Sequence, residues 1–362
     1  MYNTLLEILK LYFNTKIIQT KFKRIRMTKF TKLSLVALTL IGMSATAGTL
    51  QNVQKAGFLK CGVNIGATGF SEVGTGGKYQ GMDVDGCKAV AAAVLGDASK
   101  IKYVGLNAKE RFAALQSGEI DVLYRGTTWT QTRDTALGLN FAGVNFYDGQ
   151  GFLINKKLNV KSALELDGAA VCVQSGTTTE LNLADYFKAN DMKYKSVAYD
   201  SNDQVTSSFE AGRCDVLSSD SSQLYGIRSK LKDPSKYEVL PEIISKEPLG
   251  PVVRQGDDQW FNIVKWSYNA MVAAEENGIT SKNIDSMKDS KSPAVRRILG
   301  IDGKLGANLG LKKDWAYQII KQVGNYGEVF ERNVGMNTPL QIKRGLNALW
   351  TKGGLQYSPP FK

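Results

Sequence analysis

Phe112-Ala113-Ala114-Leu115-Gln116-Ser117-Gly118-Glu119-Ile120-Asp121-Val122-Leu123 is answered later in the chain by Thr206-Ser207-Ser208-Phe209-Glu210-Ala211-Gly212-Arg213-Cys214-Asp215-Val216-Leu217. Each stretch reads as a helix, a glycine turn that stops it, and a short apolar strand opened by an aspartate. Beyond each strand the sequence turns polar: Thr127-Thr128-Trp129-Thr130-Gln131-Thr132-Arg133-Asp134 in the first half, Ser218-Ser219-Asp220-Ser221-Ser222 in the second. Ligands of open α/β sheets collect at the carboxyl ends of the strands. Two such edges facing each other form a cleft with a fixed cation on one wall and a fixed anion on the other, a pattern suited to a small zwitterion such as an amino acid. Asp121 and Asp215 stand at the opposite ends of their strands and read as structural.

Working outward, 58–65 reads as a strand, 85–95 as a helix with a small apolar face (Ala89, Ala92, Ala93), 101–106 as a strand, 109–116 as a helix and 120–124 as a strand. This is the βαβαβ unit of a helix-covered parallel sheet. After the turn-rich bridge Tyr147-Asp148-Gly149-Gln150-Gly151 the pattern restarts, with a strand at 169–174, a helix at 177–188, a strand at 194–199 and the matched helix and strand of 202–217. Thr177 and Glu180 have the spacing of a capping box for the second of these elements. Pro248-Leu249-Gly250-Pro251 marks a return crossing, after which Val252-Val253 rejoins the first sheet and 257–276 forms a long helix. The expected organisation is α/β with two lobes: 48–150 and 249–362 form lobe 1, the latter with a C-terminal helical extension, and 151–248 form lobe 2.

The N-terminus carries an export signal. Lys29 and Lys32 precede the apolar run 33–43, and Ala45-Thr46-Ala47 is a small-x-small cleavage site. The signal is therefore placed at 27–47, with cleavage near Ala47 and an upstream extension at 1–26; the apolar run is shorter than the roughly 20 residues that span a bilayer. Residues 1–47 hold a net +7, so the formal +12 of the 362-residue chain falls to +5 once they are removed. No basic stripe with interleaved aromatics remains, which argues against nucleic-acid binding. The chain has no histidine, which excludes His-based triads and imidazole metal sites; no metal and no cofactor is expected. Cys61, Cys87, Cys172 and Cys214 fit an oxidising compartment and form no CxxC pair. Of the three possible pairings, the organisation favours Cys61 with Cys87 and Cys172 with Cys214, each tying a strand to an element of its own lobe.

With these residues in hand, the chain resembles the family-3 polar amino-acid receptors that feed bacterial ATP-driven importers, and most closely their general L-amino-acid-binding members. The similar stretches include Gly81-Met82-Asp83-Val84-Asp85, Thr127-Thr128-Trp129-Thr130 with Arg133-Asp134, Gly176-Thr177-Thr178-Thr179-Glu180, Gly212-Arg213-Cys214-Asp215, Ile244-Ser245-Lys246-Glu247-Pro248-Leu249-Gly250 and Gly324-Asn325-Tyr326-Gly327-Glu328. The resemblance implies a bilobal periplasmic-binding-protein fold of type II, with two parallel-dominated sheets joined by two crossovers. It also implies a periplasmic location, an L-amino acid enclosed between the lobes, delivery to the membrane permease of an ABC importer, and a monomer.

By the same resemblance the ligand carboxylate falls to Arg133 with Thr128, the α-ammonium to Asp220, and the second lobe's carboxylate contact to Thr178 with Thr177 beside it. Phe70, between Gly69 and the glycine-rich 74–77, is the expected aromatic wall, and Trp129 is either lid or packing. Arg125-Gly126 replaces a Ser-Ser pair of narrower members, and Asn107 also departs from their pattern, so a roomier pocket and broad specificity follow. Arg125, Arg111 and Asn107 are the candidate selectors; either arginine, turned inward, would favour acidic ligands. No catalytic residue is expected. The rivals are an enzyme on the same fold, such as a dehydratase acting on a small carboxylic acid with Glu180 as its acid or base, and a binding module coupled to a sensor.

Overall fold

The computed structural model of this chain describes residues 48–362; the upstream extension and the export signal lie outside the described residues. A short helix α1 (Thr49–Ala56) leads to β1 (Leu59–Val63) and a small antiparallel sheet of β2 (Gly66–Ala67), β3 (Ser71–Val73) and β4 (Tyr79–Gln80). There follow α2 (Met82–Leu95), β5 (Ile101–Gly105), α3 (Arg111–Ser117), β6 (Val122–Leu123), α4 (Gln131–Ala136) and β7 (Leu139–Phe141). The chain then crosses through β8 (Phe146–Asp148) into β9 (Gln150–Asn155), β10 (Ala170–Gln174), α5 (Thr178–Ala189), β11 (Lys195–Tyr199), α6 (Asn202–Glu210), β12 (Val216–Asp220), α7 (Ser221–Lys230) and β13 (Tyr237–Val239). It returns through β14 (Glu247–Leu249) to β15 (Val252–Arg254) and the long α8 (Asp258–Glu276). The C-terminal segment adds α9 (Pro293–Ile298), α10 (Leu305–Leu309), α11 (Trp315–Gln322) and α12 (Tyr326–Asn333).

The two five-stranded sheets share one plan: β5-β1-β6-β15-β7 and β11-β10-β12-β9-β13. In each, the first three strands are parallel and the fourth is antiparallel to both of its neighbours. The sheets are thus mixed around a parallel core, and the fourth strand of each is the one that has just arrived from a crossover. The repeat seen in the sequence has a physical basis. Gly118 and Gly212 end α3 and close the turn after α6 with φ of 79° and 74°, a left-handed conformation that costs a side-chain-bearing residue about 1 kcal/mol or more. The aspartates that follow then join the ladder at both of their ends. Asp121 donates its N–H to the Lys60 carbonyl and accepts the Lys60 N–H on its carboxylate at 2.9 Å; Asp215 does the same with Ala170 at 2.8 Å.

Both sheets are covered on two faces. In lobe 1, α2, α8, α11 and α12 bury one face, and Leu106, Leu115, Ile120, Leu123 and Phe141 cover the other. Trp260 of α8 is 1% exposed and donates its indole N–H to the Asp121 carbonyl at 2.9 Å, so one side chain joins the helix to the sheet through packing and a satisfied polar tip. In lobe 2, Phe152, Leu183 and Phe187 lie on one face and Leu153, Phe209 and Leu224 on the other. Cys61 is bonded to Cys87 and Cys172 to Cys214, the pairings favoured by the organisation of the chain. The first ties β1 to α2, and the second ties β10 to the turn that precedes β12.

The crossover strands pair antiparallel, Asp148 opposite Glu247 and Phe146 opposite Leu249. This two-stranded hinge is braced by the C-terminal segment. Asn347 accepts the Tyr147 N–H at 2.7 Å and donates its amide to the Tyr147 carbonyl at 3.0 Å. The last residues return to lobe 1, where Phe361 packs against Trp266 and Trp315.

Candidate functional site

The carboxyl ends of β6 and β12 meet at a cavity whose empty space, mouth included, is about 520 Å³. Lobe 1 lines it with Arg111, Arg125 and Thr128, and lobe 2 with Thr177, Thr178 and Asp220. The loop after β6 is stitched to the second crossover, Trp129 N–H to the Pro248 carbonyl at 2.8 Å and Gly250 N–H to the Thr127 carbonyl at 3.0 Å, which brings Thr128 beside Glu247. There the Glu247 carboxylate, 1% exposed, accepts hydroxyl hydrogen bonds from Thr128 of lobe 1 at 2.6 Å and Thr178 of lobe 2 at 2.9 Å. It also accepts from Asn182 at 2.7 Å and Ser245 at 2.6 Å. The two threonine hydroxyls are 3.4 Å apart, so this carboxylate joins both walls and the hinge at one point.

Asp220 stands at the N-cap of α7 yet makes no side-chain cap bond. Asp148 takes that work, accepting the N–H and hydroxyl of Ser222, which leaves the Asp220 carboxylate to the cavity. Burial drives the Asp220 carboxyl well above the usual carboxylate range, the neighbouring Asp148 and Glu247 push the same way, and Arg111 and Arg133 oppose them. A cationic ligand group at this point would restore its charge.

The opposite wall is crowded with guanidinium groups. Arg111 and Arg125 are 2% and 4% exposed. Arg111 reaches Thr127 with Nη1 at 3.5 Å and lies 4.7 Å from the centre of the Phe112 ring, while its Nε has no hydrogen-bond partner. Arg125 donates Nε to the Leu106 carbonyl at 3.0 Å, and its Nη2 has no partner. Burial lowers the pKa of Arg111 well below its ordinary value, with Arg125 and Arg133 adding to the effect; burial brings Arg125 to about 10. Beside Arg125, burial raises the Asp83 carboxyl to about 7.

The structure thus brings together six of the residues named from the sequence: Thr128, Thr177, Thr178, Asp220, Arg111 and Arg125. The other four stand apart from the lining. Arg133 lies a layer behind Thr128, donating Nη1 to the Thr128 carbonyl at 2.8 Å with its guanidinium 5.3 Å from the centre of the Phe112 ring. Phe70 is 1% exposed and packs edge-on against Phe146; the glycines around it deliver it to the lobe 1 core, so it forms no wall of the cavity. Trp129 is stacked on Phe141 and is 38% exposed, outside the cavity lining. Asn107 holds the turn before α3 by accepting the N–H groups of Lys109 and Glu110, and borders an adjoining cleft. The capping box at Thr177 also fails to form: the hydroxyl donates to the Gln174 carbonyl at 2.7 Å, and Glu180 accepts the Gly176 N–H instead. Glu247 and Asp148 are the residues that sequence reasoning missed. Asp148 lay in the turn-rich bridge and Glu247 directly before the return crossing, and a carboxylate at each of these places was the available signal.

Residues 59–283 match the family model of the bacterial extracellular solute-binding proteins, family 3. The chain is 60% identical to the general L-amino acid-binding periplasmic protein AapJ of Rhizobium johnstonii, over 90% of this chain and 96% of that protein. It is 53% identical to the glutamate/glutamine/aspartate/asparagine-binding protein BztA of Rhodobacter capsulatus, over 91% and 98%. A periplasmic binding protein of Brucella ovis, solved with glutathione bound, superposes with a TM-score of 0.86 at 55% identity, covering 87% of this chain and all of that one. By the family match and by relatives spanned almost end to end, this chain belongs to family 3 of the bacterial extracellular solute-binding proteins.

Proposed function

We propose that the chain is an exported periplasmic receptor that encloses a free L-amino acid between its lobes, 48–150 with 249–362 and 151–248, and presents it as a monomer to the permease of an ABC importer. The observation that carries this reading is the opposition of fixed charges: Asp220, free of capping duty, faces a wall of buried guanidinium groups. Asp220 receives the α-ammonium. The α-carboxylate falls to Thr128 and Thr178, where it competes with Glu247 for the hydroxyl protons, and Arg133 supplies the charge from behind the Thr128 carbonyl. Thr177 lies beside them at the start of α5, whose exposed N–H groups favour an anion. Because both lobes contribute, the ligand favours the closed state by its contacts to both at once. Export fits cleavage near Ala47.

The names of the relatives support amino acids as the ligand class and broad acceptance within it. No bond is made or broken in this reading. Glu180, the acid or base that an enzyme on this fold would need, is held by the Gly176 N–H and does not line the cavity. The test is native mass spectrometry after incubation with a mixture of the common L-amino acids. Unchanged amino acid retained at one per chain supports the receptor; chemical conversion of the mixture, or retention of none of it, defeats it.

A further inference from the structure

The lobe 1 wall holds more positive charge than one α-carboxylate uses. Three guanidinium groups, those of Arg111, Arg125 and Arg133, are each at least nine-tenths buried and near enough for Arg133 to act on both of the others. Arg133 is committed to the Thr128 carbonyl, on the α-carboxylate side. Arg111 and Arg125 line the cavity itself, and each keeps one buried nitrogen, Nε of Arg111 and Nη2 of Arg125, without a hydrogen-bond partner. Buried polar groups are ordinarily satisfied, and buried guanidinium nitrogens more than most. No described carboxylate forms an ion pair with either arginine. Asp83 beside Arg125 leaves its own Oδ2 without a partner.

Two planar forks with free donors in one cavity wall match the geometry of a carboxylate better than that of an amide or an alkyl group. A carboxamide offers only one acceptor oxygen and turns an N–H₂ toward a cation. An alkyl side chain leaves both donors unsatisfied. We propose that Arg111 and Arg125 form a second anion subsite at the side-chain end of the cavity, so that ligands with a second carboxylate bind most tightly among the amino acids the receptor accepts. This rests on the amino-acid reading above and deepens it. The second carboxylate can come from the side chain of an acidic amino acid or from the far end of a γ-glutamyl peptide. Phe112, whose ring lies against both Arg111 and Arg133, fixes the spacing between the two carboxylate positions.

The experiment is calorimetric titration of the full mature chain, freed of ligand by unfolding and refolding, with glutamate, glutamine and γ-glutamylglycine in one low-salt buffer. Glutamate or γ-glutamylglycine binding at least about tenfold more tightly than glutamine is expected, and the tighter of the two identifies the source of the second carboxylate. In Arg125→Met and in Arg111→Met this ratio should collapse to within about threefold, because the loss falls on the second carboxylate. Glutamate and γ-glutamylglycine both bound no more tightly than glutamine by the parent chain would overturn the subsite while leaving the receptor reading intact. No binding of any of the three would overturn both. The parent-chain comparison does not depend on either variant folding.

Discussion

Asp148 carries a pH signature that can be worked through from its surroundings. Burial, assisted by the Glu247 charge, raises its carboxyl from 3.8 to about 6 against the opposing hydrogen bonds from Ser222 and Gly149. Between those values the folded protein holds more protons than the unfolded chain, so this group's contribution is fully favourable below 3.8 and is lost as pH rises through 6. At 1.36 kcal/mol per unit, a shift of about two units corresponds to about 3 kcal/mol. Water at the partly exposed carboxylate reduces this to about 2 kcal/mol. In Asp148→Asn the amide oxygen still accepts from the Gly149 and Ser222 N–H groups, while the Ser222 hydroxyl rotates to accept from the new amide, so the geometry is kept. Urea unfolding of ligand-free parent and variant at about pH 4 and pH 7.5 provides the measurement. The variant should gain about 2 kcal/mol on the parent between the two pH values. Taking the difference cancels the distant titrating groups, and Asp220, relieved of a neighbouring charge, moves the same way. A parent-to-variant difference that stays constant within about 0.5 kcal/mol would refute a raised carboxyl at this position.

Two further outcomes concern the frame around the cleft. Asn347→Ala removes both bonds to the Tyr147 backbone and should destabilise the chain by about 1–3 kcal/mol, read by chemical denaturation; an unchanged midpoint would mean that the extension does not brace the hinge. Replacing Cys172 and Cys214 together by alanine should cost at least as much as replacing Cys61 and Cys87, about 3–4 kcal/mol in each case by loop entropy, because the bridged separations are 42 and 26 residues. A larger loss for the shorter loop would show that native-state packing, not chain entropy, sets the ranking.

The repeat was legible because its parts are local. Gly118 and Gly212 stop helices by their own backbone freedom, and Asp121 and Asp215 pair with a residue at the start of a strand, Lys60 and Ala170, whose neighbour is set by the βαβ connection. The polar edges beyond β6 and β12 followed from strand direction alone, and they delivered Thr128 and Asp220 to one cavity, which Thr178 joins from the start of α5. What the sequence hid depends on the direction of side chains in space. Phe70 sits in a glycine-rich loop, but its ring turns to Phe146. Thr177 has the right spacing for a cap, yet its hydroxyl finds the Gln174 carbonyl first. Glu247 acquires its role only because the two crossovers pair, a contact between residues about a hundred positions apart.

The place of β15 in the first sheet has a consequence for the order in which the polypeptide can assemble. Its slot between β6 and β7 is filled by residues that follow the whole of the second sheet. During export the second sheet, made from the continuous stretch β9 to β13, has all its strands and both cysteines of its disulfide as soon as it emerges. The first sheet must wait with an open gap. Such non-local pairing is slow, and an unpaired strand edge invites association. The half-built lobe 1, with β6 and β7 held apart for a strand still to arrive, is therefore the vulnerable stage in the life of this protein, and the one at which a periplasmic chaperone would find most to shield.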